Sequence, residues 1–285
     1  MCLLSLLSLF YDAQQPSPPS PASTYPTNIF HTMRFTLRLF ALAPLLRVVA
    51  AIVGESTEAK TPGFMVSVQT SDLFSDQHIC GGVILGKQTV LTTASCLDGH
   101  SASKLTVKYG SVNRSELARA GLLVTQVIKH PNWSPNTKDF DIGILHLLYE
   151  IDAQGGPAYQ VAKIAQTHPA ITDTKSARFA GWGKTKTSNA LPVILRQADV
   201  RYVSHSDCKT KYSDSVFTEQ MGCLDSTASI PCDLDTGGPI MDKSMTTLYG
   251  ILSYGDIACN PGSTTRPYVY SDVVTVRPWI QSQTY

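Results

Sequence analysis

Charge is scarce in this chain of 285 residues: only 16% of them are charged, and 23 Lys and Arg stand against 22 Asp and Glu. A balance this close to zero excludes electrostatic attraction to nucleic acids or to anionic membranes as the basis of function. Long apolar runs are also missing, since none approaches the ~18–20 residues of a membrane-spanning helix. With 43% hydrophobic residues, the low charge argues against disorder and against a coiled coil. The composition predicts a globular chain whose function has to come from its motifs.

Metal-binding spacings are absent too, because the sequence holds no CxxC or HxxxH pair. We therefore expect neither a zinc site nor another cofactor. Beyond Cys2, six cysteines remain, at positions 80, 96, 208, 223, 232 and 259. An even set favours disulfides in an exported protein, although the count alone leaves their pairing open.

The first 51 residues differ in composition from the rest. Residues 1–32 contain a Pro/Ser-rich stretch that cannot form a packed core, so we interpret them as a low-complexity leader or a gene-model artefact. Residues 33–51 have the layout of a secretory signal peptide, with a start at Met33, basic Arg34 and Arg38, and then an apolar stretch. An ordinary disordered leader is the alternative.

Two small residues, Ala50 and Ala51, close the predicted signal peptide, and the sequence permits cleavage after either. Whether translation begins at Met1 or at the internal methionine is equally open. An exported chain can be glycosylated, and Asn113 and Asn132 each begin an Asn-x-Ser acceptor motif. A proline directly after the second motif disfavours it.

Short runs with alternating or β-branched residues recur after residue 51, separated by clusters of Gly, Asn, Asp and Ser. Only Val274–Gln283 has a helical pattern, and Pro278 predicts that a helix starts there or bends. Strands at this spacing predict barrels or a sandwich. We predict strands over Phe64–Thr70, Thr89–Thr93, Leu105–Gly110, Leu122–Lys129, Phe140–Leu147, Ala177–Trp182, Arg196–Val203, Leu248–Tyr254 and Tyr268–Val273.

Seven fragments, read in order, carry a family resemblance. They are Ile52-Val-Gly-Glu, His78-Ile-Cys-Gly-Gly, Leu91-Thr-Thr-Ala-Ser-Cys, Asp141-Ile-Gly-Ile-Leu, Gly181-Trp-Gly, Cys232-Asp-Leu-Asp-Thr-Gly-Gly-Pro and Ser253-Tyr-Gly. In this order and spacing they resemble the trypsin/chymotrypsin family of serine proteases over essentially all of residues 52–285.

The resemblance implies an all-β fold of two six-stranded antiparallel barrels with a short C-terminal helix. Within a single trypsin-like region, residues 52–285, barrel 1 is expected at about 52–160 and barrel 2 at about 161–275. The resemblance also implies three disulfides: Cys80–Cys96, Cys208–Cys223 and Cys232–Cys259.

The family's reaction needs a hydroxyl nucleophile, an imidazole base and a buried carboxylate that orients the imidazole. By the resemblance, the carboxylate position is Asp141, the imidazole position is Ser95 and the nucleophile position is Thr236. A serine hydroxyl cannot act as a general base near neutral pH. His100 follows soon after, but it lies past Cys96 and needs a rebuilt loop to reach the site. We therefore expect no functional catalytic residue.

Two further departures affect the oxyanion hole and the specificity pocket. The oxyanion position before Thr236 is Leu234, where the family has a glycine in a conformation that a Cβ disfavours by about 1–3 kcal/mol. We expect this peptide to flip and one oxyanion donor to be lost. Tyr268 replaces a pocket glycine, and its ring is expected to fill the pocket. The resemblance places four residues at the blocked pocket: Ile230, Ser253, Gly255 and Tyr268.

Structural features of the family are retained. The α-amino group of Ile52 is expected to form an ion pair with buried Asp235 when cleavage follows Ala51, whereas cleavage one residue earlier leaves an extra residue and blocks the pair. Ser253 is expected to hydrogen-bond Asp141, which partly satisfies a buried carboxylate that has lost its imidazole partner.

The paired changes Leu-Thr-Thr-Ala-Ser-Cys and Asp-Thr-Gly-Gly-Pro resemble the glucanase inhibitor proteins that plant-pathogenic oomycetes secrete. The resemblance implies a secreted, inactive, monomeric effector that binds a host plant endo-β-1,3-glucanase in the apoplast. Candidate contacts are the loops at 155–160, 185–191 and 254–265, with Trp133 and Tyr254 either as exposed anchors or as half-buried barrel residues. Three alternatives stay open: an active serine endopeptidase, an inert secreted decoy, and the drifting product of an inactive gene copy.

Overall fold

The computed structural model describes residues 53–54, 57–58, 63–71, 76–117, 121–152, 157–169, 176–184, 190–213, 215–225, 229–255 and 266–284. The leader 1–32, the signal segment 33–51, Ile52 and Cys259 lie outside these ranges, so the predictions on them remain predictions.

The described chain is built mainly from short strands. They are β1 (Val53–Gly54), β2 (Thr57–Glu58), β3 (Met65–Ser71), β4 (Asp76–Gly86), β5 (Thr89–Thr92), β6 (Leu105–Tyr109), β7 (Leu122–Lys129), β8 (Gly143–Leu147), β9 (Lys163–Ile164), β10 (Ser176–Gly181), β11 (Arg196–Val203), β12 (Met221–Asp225), β13 (Ser229–Ile230), β14 (Pro239–Met241), β15 (Thr247–Tyr254) and β16 (Tyr268–Asp272). Two helices accompany them, α1 (His205–Lys211) and α2 (Arg277–Ser282).

The first barrel closes in the order β3-β4-β5-β8-β7-β6, and all its pairings are antiparallel. Every residue of β5 and of β8 is buried, which fits strands at the centre of an apolar core. The sequence does not predict β4, because its two central glycines weaken the strand pattern. The structure explains them by close approach: a Cβ on Gly81 would lie 2.9 Å from the backbone N of Gly238.

The second barrel is the closed ring β10-β14-β15-β16-β12-β11, again antiparallel throughout. Phe179, Val200, Leu224, Ile240 and Leu252 form part of its buried core. Two closed six-stranded rings confirm the predicted architecture. Strands β1 and β2 precede the first barrel in sequence but pair with β13 and β11, so the chain's first strands belong structurally with the second half.

Both helices are short and have clear local causes. Helix α1 begins after Ser204, whose side chain accepts a hydrogen bond from the backbone N–H of Asp207. Helix α2 has Pro278 in its first turn and buries Ile280, which confirms the predicted C-terminal helix. Among the helices that the structure describes, none is long and apolar enough to cross a membrane.

The disulfides follow the pattern that the resemblance implies as far as the described residues reach. Cys80 is bonded to Cys96 and Cys208 to Cys223, with Cα–Cα distances of 6.2 and 6.1 Å. Cys232 is also disulfide-bonded. Its expected partner, Cys259, lies outside the described ranges.

Candidate active-site region

The carboxylate predicted at the catalytic position ends a loop that is held from several sides. Asp141 lies two residues before β8, and the preceding loop has positive φ angles at Lys138 (59°) and Phe140 (52°). The Phe140 ring stacks on His130 at 4.4 Å, and Thr218 of the second barrel donates a hydrogen bond to Asp139. These contacts hold a strained loop in one conformation.

Asp141 is 1% exposed and accepts its hydrogen bonds from two serines. The backbone N–H of Ser95 donates to Oδ1 at 2.7 Å, and the Ser95 hydroxyl donates to Oδ2 at 2.9 Å. The Ser253 hydroxyl donates to Oδ2 at 2.5 Å, which is the contact expected from the sequence. Burial raises the pKa of Asp141, although these hydrogen bonds oppose the rise.

Thr236 is joined to this cluster through Ser253. Its hydroxyl donates to the Ser253 carbonyl oxygen at 3.4 Å, and its own carbonyl accepts from the backbone N–H of Gly81 at 2.8 Å. The structure therefore brings together the three sequence-predicted positions 95, 141 and 236. Within the part of the chain that the structure describes, no imidazole is hydrogen-bonded to the Thr236 hydroxyl, and this includes His100.

The φ angle of Leu234 is 71°, which lies in the left-handed region that a residue with a Cβ disfavours. Its carbonyl oxygen accepts a hydrogen bond from His78 Nε2 at 3.1 Å. Behind it, Gln69 donates to Ser67, and Ser67 is 2.7 Å from His78 Nδ1. Leu234 thus keeps a positive φ despite its Cβ, where a buried polar chain holds its carbonyl in place, and the expected loss of an oxyanion donor stays a prediction. Burial lowers the pKa of His78 to about 4.

Asp235 is 1% exposed and accepts hydrogen bonds from two backbone N–H groups. Gly183 donates at 2.7 Å and Cys232 at 2.9 Å. Burial raises the pKa of Asp235 to about 7. Its predicted partner, Ile52, lies outside the described residues, but the next residue, Val53, pairs with Ile230 in β13.

Of the four residues predicted to close the specificity pocket, Tyr268 and Gly255 are in contact. Tyr268 is 5% exposed, and its ring lies against Gly255, where an added Cβ would be only 2.2 Å from Tyr268 Cδ1. Gly255 therefore leaves room for the ring. Ser253 lies two residues before Gly255 on β15, and Ile230 is placed by its backbone in β13.

The residues predicted to contact a partner protein already make contacts within the chain. Trp133 is half-buried and donates through its ring N–H to Asp98 at 3.2 Å. Tyr254 is half-buried as well, with its ring edge-on to Tyr212 at 6.0 Å. Both are thus the half-buried residues of the stated alternative. Of the loop 155–160, the described part contacts Gly63 and Gly110 rather than the Asp141 cluster.

The two glycosylation motifs are both within the described ranges. Asn132 is exposed on the loop that precedes Asp141. Asn113 is partly buried, and its side chain accepts from the Ser115 N–H and donates to Glu116. Their occupancy remains a prediction. Among the described residues, no group of three or more His, Cys, Asp or Glu side chains has the arrangement of a metal site.

Sequence reasoning missed the buried chain of Gln69, Ser67 and His78 beneath Leu234. The alternation of β3 places Ser67 and Gln69 on one face, and His78 begins one of the seven family motifs. The sequence therefore identifies each residue but not the contact between them. Only the pairing of β3 with β4, with a bulge after Val68, brings the three together.

Comparisons with known proteins agree on one family. The family model described as Trypsin matches residues 51–280. Trypsin theta of Drosophila melanogaster is 32% identical over 234 residues, which cover 80% of this chain and 83% of the fly protein. The structure of neuropsin, a serine protease of mouse brain, superposes with a TM-score of 0.66 at 27% identity, covering 81% of this chain and 99% of neuropsin. The structure of GrC has the same fold, with a TM-score of 0.67 at 23% identity and coverage of 81% and 99%.

Proposed function

The chain belongs to the trypsin family, and on this premise we propose that it is a secreted, proteolytically inactive member that acts by binding another protein. The relatives named above are a trypsin and a serine protease, so active proteolysis is the alternative to be tested. The observation that carries the proposal is the set of groups around Asp141 and Thr236, all of them hydroxyls or backbone groups.

The chemistry of acyl transfer explains why these groups matter. A hydroxyl becomes a nucleophile when a neighbouring base removes its proton. Here the Thr236 hydroxyl donates to a carbonyl oxygen, which is not a base near neutral pH. The Ser95 hydroxyl is already used in a hydrogen bond to Asp141. Loss of one triad member leaves about 10³–10⁴-fold acceleration over water, supplied by the oxyanion hole and by substrate binding.

Substrate binding is also affected in this proposal. Tyr268 is buried against Gly255, so the ring fills the space that a substrate side chain enters in the family. Leu234 retains a left-handed φ and its hydrogen bond from His78, so the oxyanion loop is the better preserved part of the site. We therefore expect the missing base and the filled pocket, rather than the geometry of the oxyanion loop, to prevent proteolysis.

Restoring the residues of the active family tests the proposal that the chain is proteolytically inactive. The mature chain is assayed with a fluorogenic peptide panel and a serine-directed phosphonate probe. We expect no turnover from the natural chain or from S95H/T236S, and measurable turnover once Y268G is added to that pair. Turnover or labelling of the natural chain that Thr236→Ala abolishes would contradict the proposal.

For the partner, we propose a host plant endo-β-1,3-glucanase in the apoplast, on the resemblance of the motifs around Ser95 and Thr236 to oomycete glucanase inhibitor proteins. The mature protein is expected to be a monomeric effector with no nucleic-acid or membrane partner. The disulfides and the trypsin-like domain support secretion, since disulfides persist in oxidising compartments. An inert secreted decoy is the remaining alternative.

Glucanase inhibition is tested with purified enzyme and a soluble β-1,3-glucan, with hydrolysis followed as reducing sugar released. Asn136 is exposed on the loop that precedes Asp141, whereas Leu123 is exposed at the opposite end of β7. We expect Asn136→Arg to weaken inhibition at least about tenfold and the matched Leu123→Arg to leave it unchanged. No inhibition by the natural chain, together with no specific partner recovered from plant extracellular fluid, favours the decoy.

A further inference from the structure

A cavity of about 260 Å³ lies on the second barrel, separate from the Asp141 cluster. Its charged and polar walls come from four separate parts of the chain: His168 after β9, His205 at the start of α1, Glu219 before β12, and Tyr270 and Asp272 of β16. Met221 supplies an apolar wall between them. The volume is just below the range for drug-sized ligands, so the cavity suits a smaller molecule.

Asp272 is a buried acceptor in this cavity, with 6% of its surface exposed. One carboxylate oxygen, Oδ1, accepts from the backbone N–H groups of Val274 and Thr275 at 2.8 and 3.1 Å. The other, Oδ2, lies 3.0 Å from His168 Nδ1. A carboxylate has about four acceptor positions, so Oδ2 can take one more donor. Burial raises the pKa of Asp272, although the backbone hydrogen bonds and the contact with His168 oppose the rise.

Tyr270 supplies a second acceptor. It is 6% exposed, and its ring spans from Gly250 to Gly222, with the hydroxyl only 2.3 Å from the position of a Cβ on Gly222. Because Gly222 itself lines the cavity, the hydroxyl end of the ring is the end at the cavity. No hydrogen bond joins this hydroxyl to another part of the described chain. The side chain is mostly buried, and its hydroxyl is left available to a ligand or a water molecule that enters the cavity.

The charge of the lining selects the ligand. The lining holds two acidic residues, Asp272 and Glu219, each beside a histidine, with His168 at 3.0 Å and His205 at 3.7 Å, and no Lys or Arg is among the described residues that line the cavity. We propose that the cavity binds a small primary amine with a compact apolar body. The ammonium group has three donors, which match Oδ2 of Asp272 and the hydroxyl of Tyr270, while the apolar body lies against Met221. This site does not depend on whether Thr236 is catalytic.

The test compares benzylamine with its neutral analogue benzyl alcohol, titrated into the ¹⁵N-labelled mature protein. We expect saturable amide shifts at Gly222 and Thr275 with benzylamine in the millimolar range, and binding of the alcohol at least about tenfold weaker. Equal binding of the two probes, or no saturable shift with the amine, overturns the proposal.

Variants then place the amine. Asp272→Asn should weaken benzylamine binding about tenfold or more, and Tyr270→Phe about threefold to tenfold. The matched control Asp225→Asn removes an exposed carboxylate that is paired with Arg201, and it should leave binding unchanged. If Asp272→Asn does not fold, Tyr270→Phe decides alone. Unchanged binding in Tyr270→Phe, with the same amide shifts, contradicts the proposed site.

Discussion

Asp141 and Asp235 are equally buried, each 1% exposed, yet the chain satisfies them differently. Asp141 accepts hydrogen bonds from two serine hydroxyls and one backbone N–H. Asp235 accepts from two backbone N–H groups. Asp141 is thus compensated by side-chain hydroxyls as well as by a backbone N–H, whereas the described donors to Asp235 are backbone groups alone. Asp235 is therefore the carboxylate whose contribution to stability we expect to depend more strongly on pH and on an added cation.

The largest expected effect concerns the residue at which the mature chain begins. A chain that starts at Ile52 is expected to pair its α-amino group with Asp235, whereas a chain that starts at Ala51 is expected not to. At pH 8 we expect the Ile52 chain to be more stable by about 3–5 kcal/mol, the usual cost of an unpaired buried charge. Urea unfolding of the two chains measures the difference.

The pH dependence of the unfolding free energy gives the direction of this effect. Burial raises the pKa of Asp235 from 3.8 to about 7. In the Ala51 chain, the neutral carboxyl is therefore favoured by folding, so stability is full below about pH 4 and is lost as the pH rises through 7. Pairing with Ile52 should remove that loss. Asp235→Asn in both chains is the control, and a stability difference that survives it would show that the ion pair is not the cause.

The next effect tests the buried polar chain of Gln69, Ser67 and His78 beneath Leu234. Burial lowers the pKa of His78 from 6.5 to about 4, so folding favours the neutral imidazole. The stability it contributes is present above pH 6.5 and is lost as the pH falls through 4, by about 3 kcal/mol in all. His78→Gln should flatten the fall in unfolding free energy between pH 6.5 and 4. An equally steep fall in the variant would assign the acid sensitivity to other groups.

A smaller effect tests the hydroxyl partners of Asp141. Ser253→Ala removes a donor to a buried carboxylate and should cost about 1–3 kcal/mol. Ser95→Ala should cost less, because its backbone N–H still donates to Oδ1. Thermal unfolding at pH 7 measures both, with Ser103→Ala on the exposed surface as the matched control. Equal stability of all three variants would mean that water replaces the hydroxyls and that Asp141 is not structurally bound.

Much of the fold was predictable from the sequence because its signals are local. Each of the nine predicted runs contains a strand, and Pro278 correctly marks the first turn of α2. Helix α1 was missed although Ser204 and Asp207 form a capping signal. Strand β4 was missed because its glycines serve close contacts that the sequence does not show: Gly81 lies against Gly238, far away in the chain, and Gly82 against Val66.

The site was predictable where a motif fixes the residue and not where a distant contact fixes the conformation. Ser95, Asp141 and Ser253 lie together as the motifs predict. The positive φ of Leu234 was not predicted, because its own preference is a local property and the hydrogen bond from His78 is not. The amine cavity had no sequence signal at all, since β12 was not predicted and its neighbours come from separate segments.

The smallest expected effect concerns the backbone strain at Leu234, the residue directly before Asp235. Leu234→Gly relieves a left-handed residue with a Cβ and should raise the unfolding free energy by about 1 kcal/mol, since Leu234 is only partly buried and little packing is lost. Leu234→Ala retains the Cβ and should bring no gain, so it separates backbone strain from loss of the side chain. Urea unfolding at pH 7 measures both variants. If glycine and alanine have the same effect, φ at 71° is not a cost at this position, and the hydrogen bond from His78 to the Leu234 carbonyl is then not holding the chain against strain.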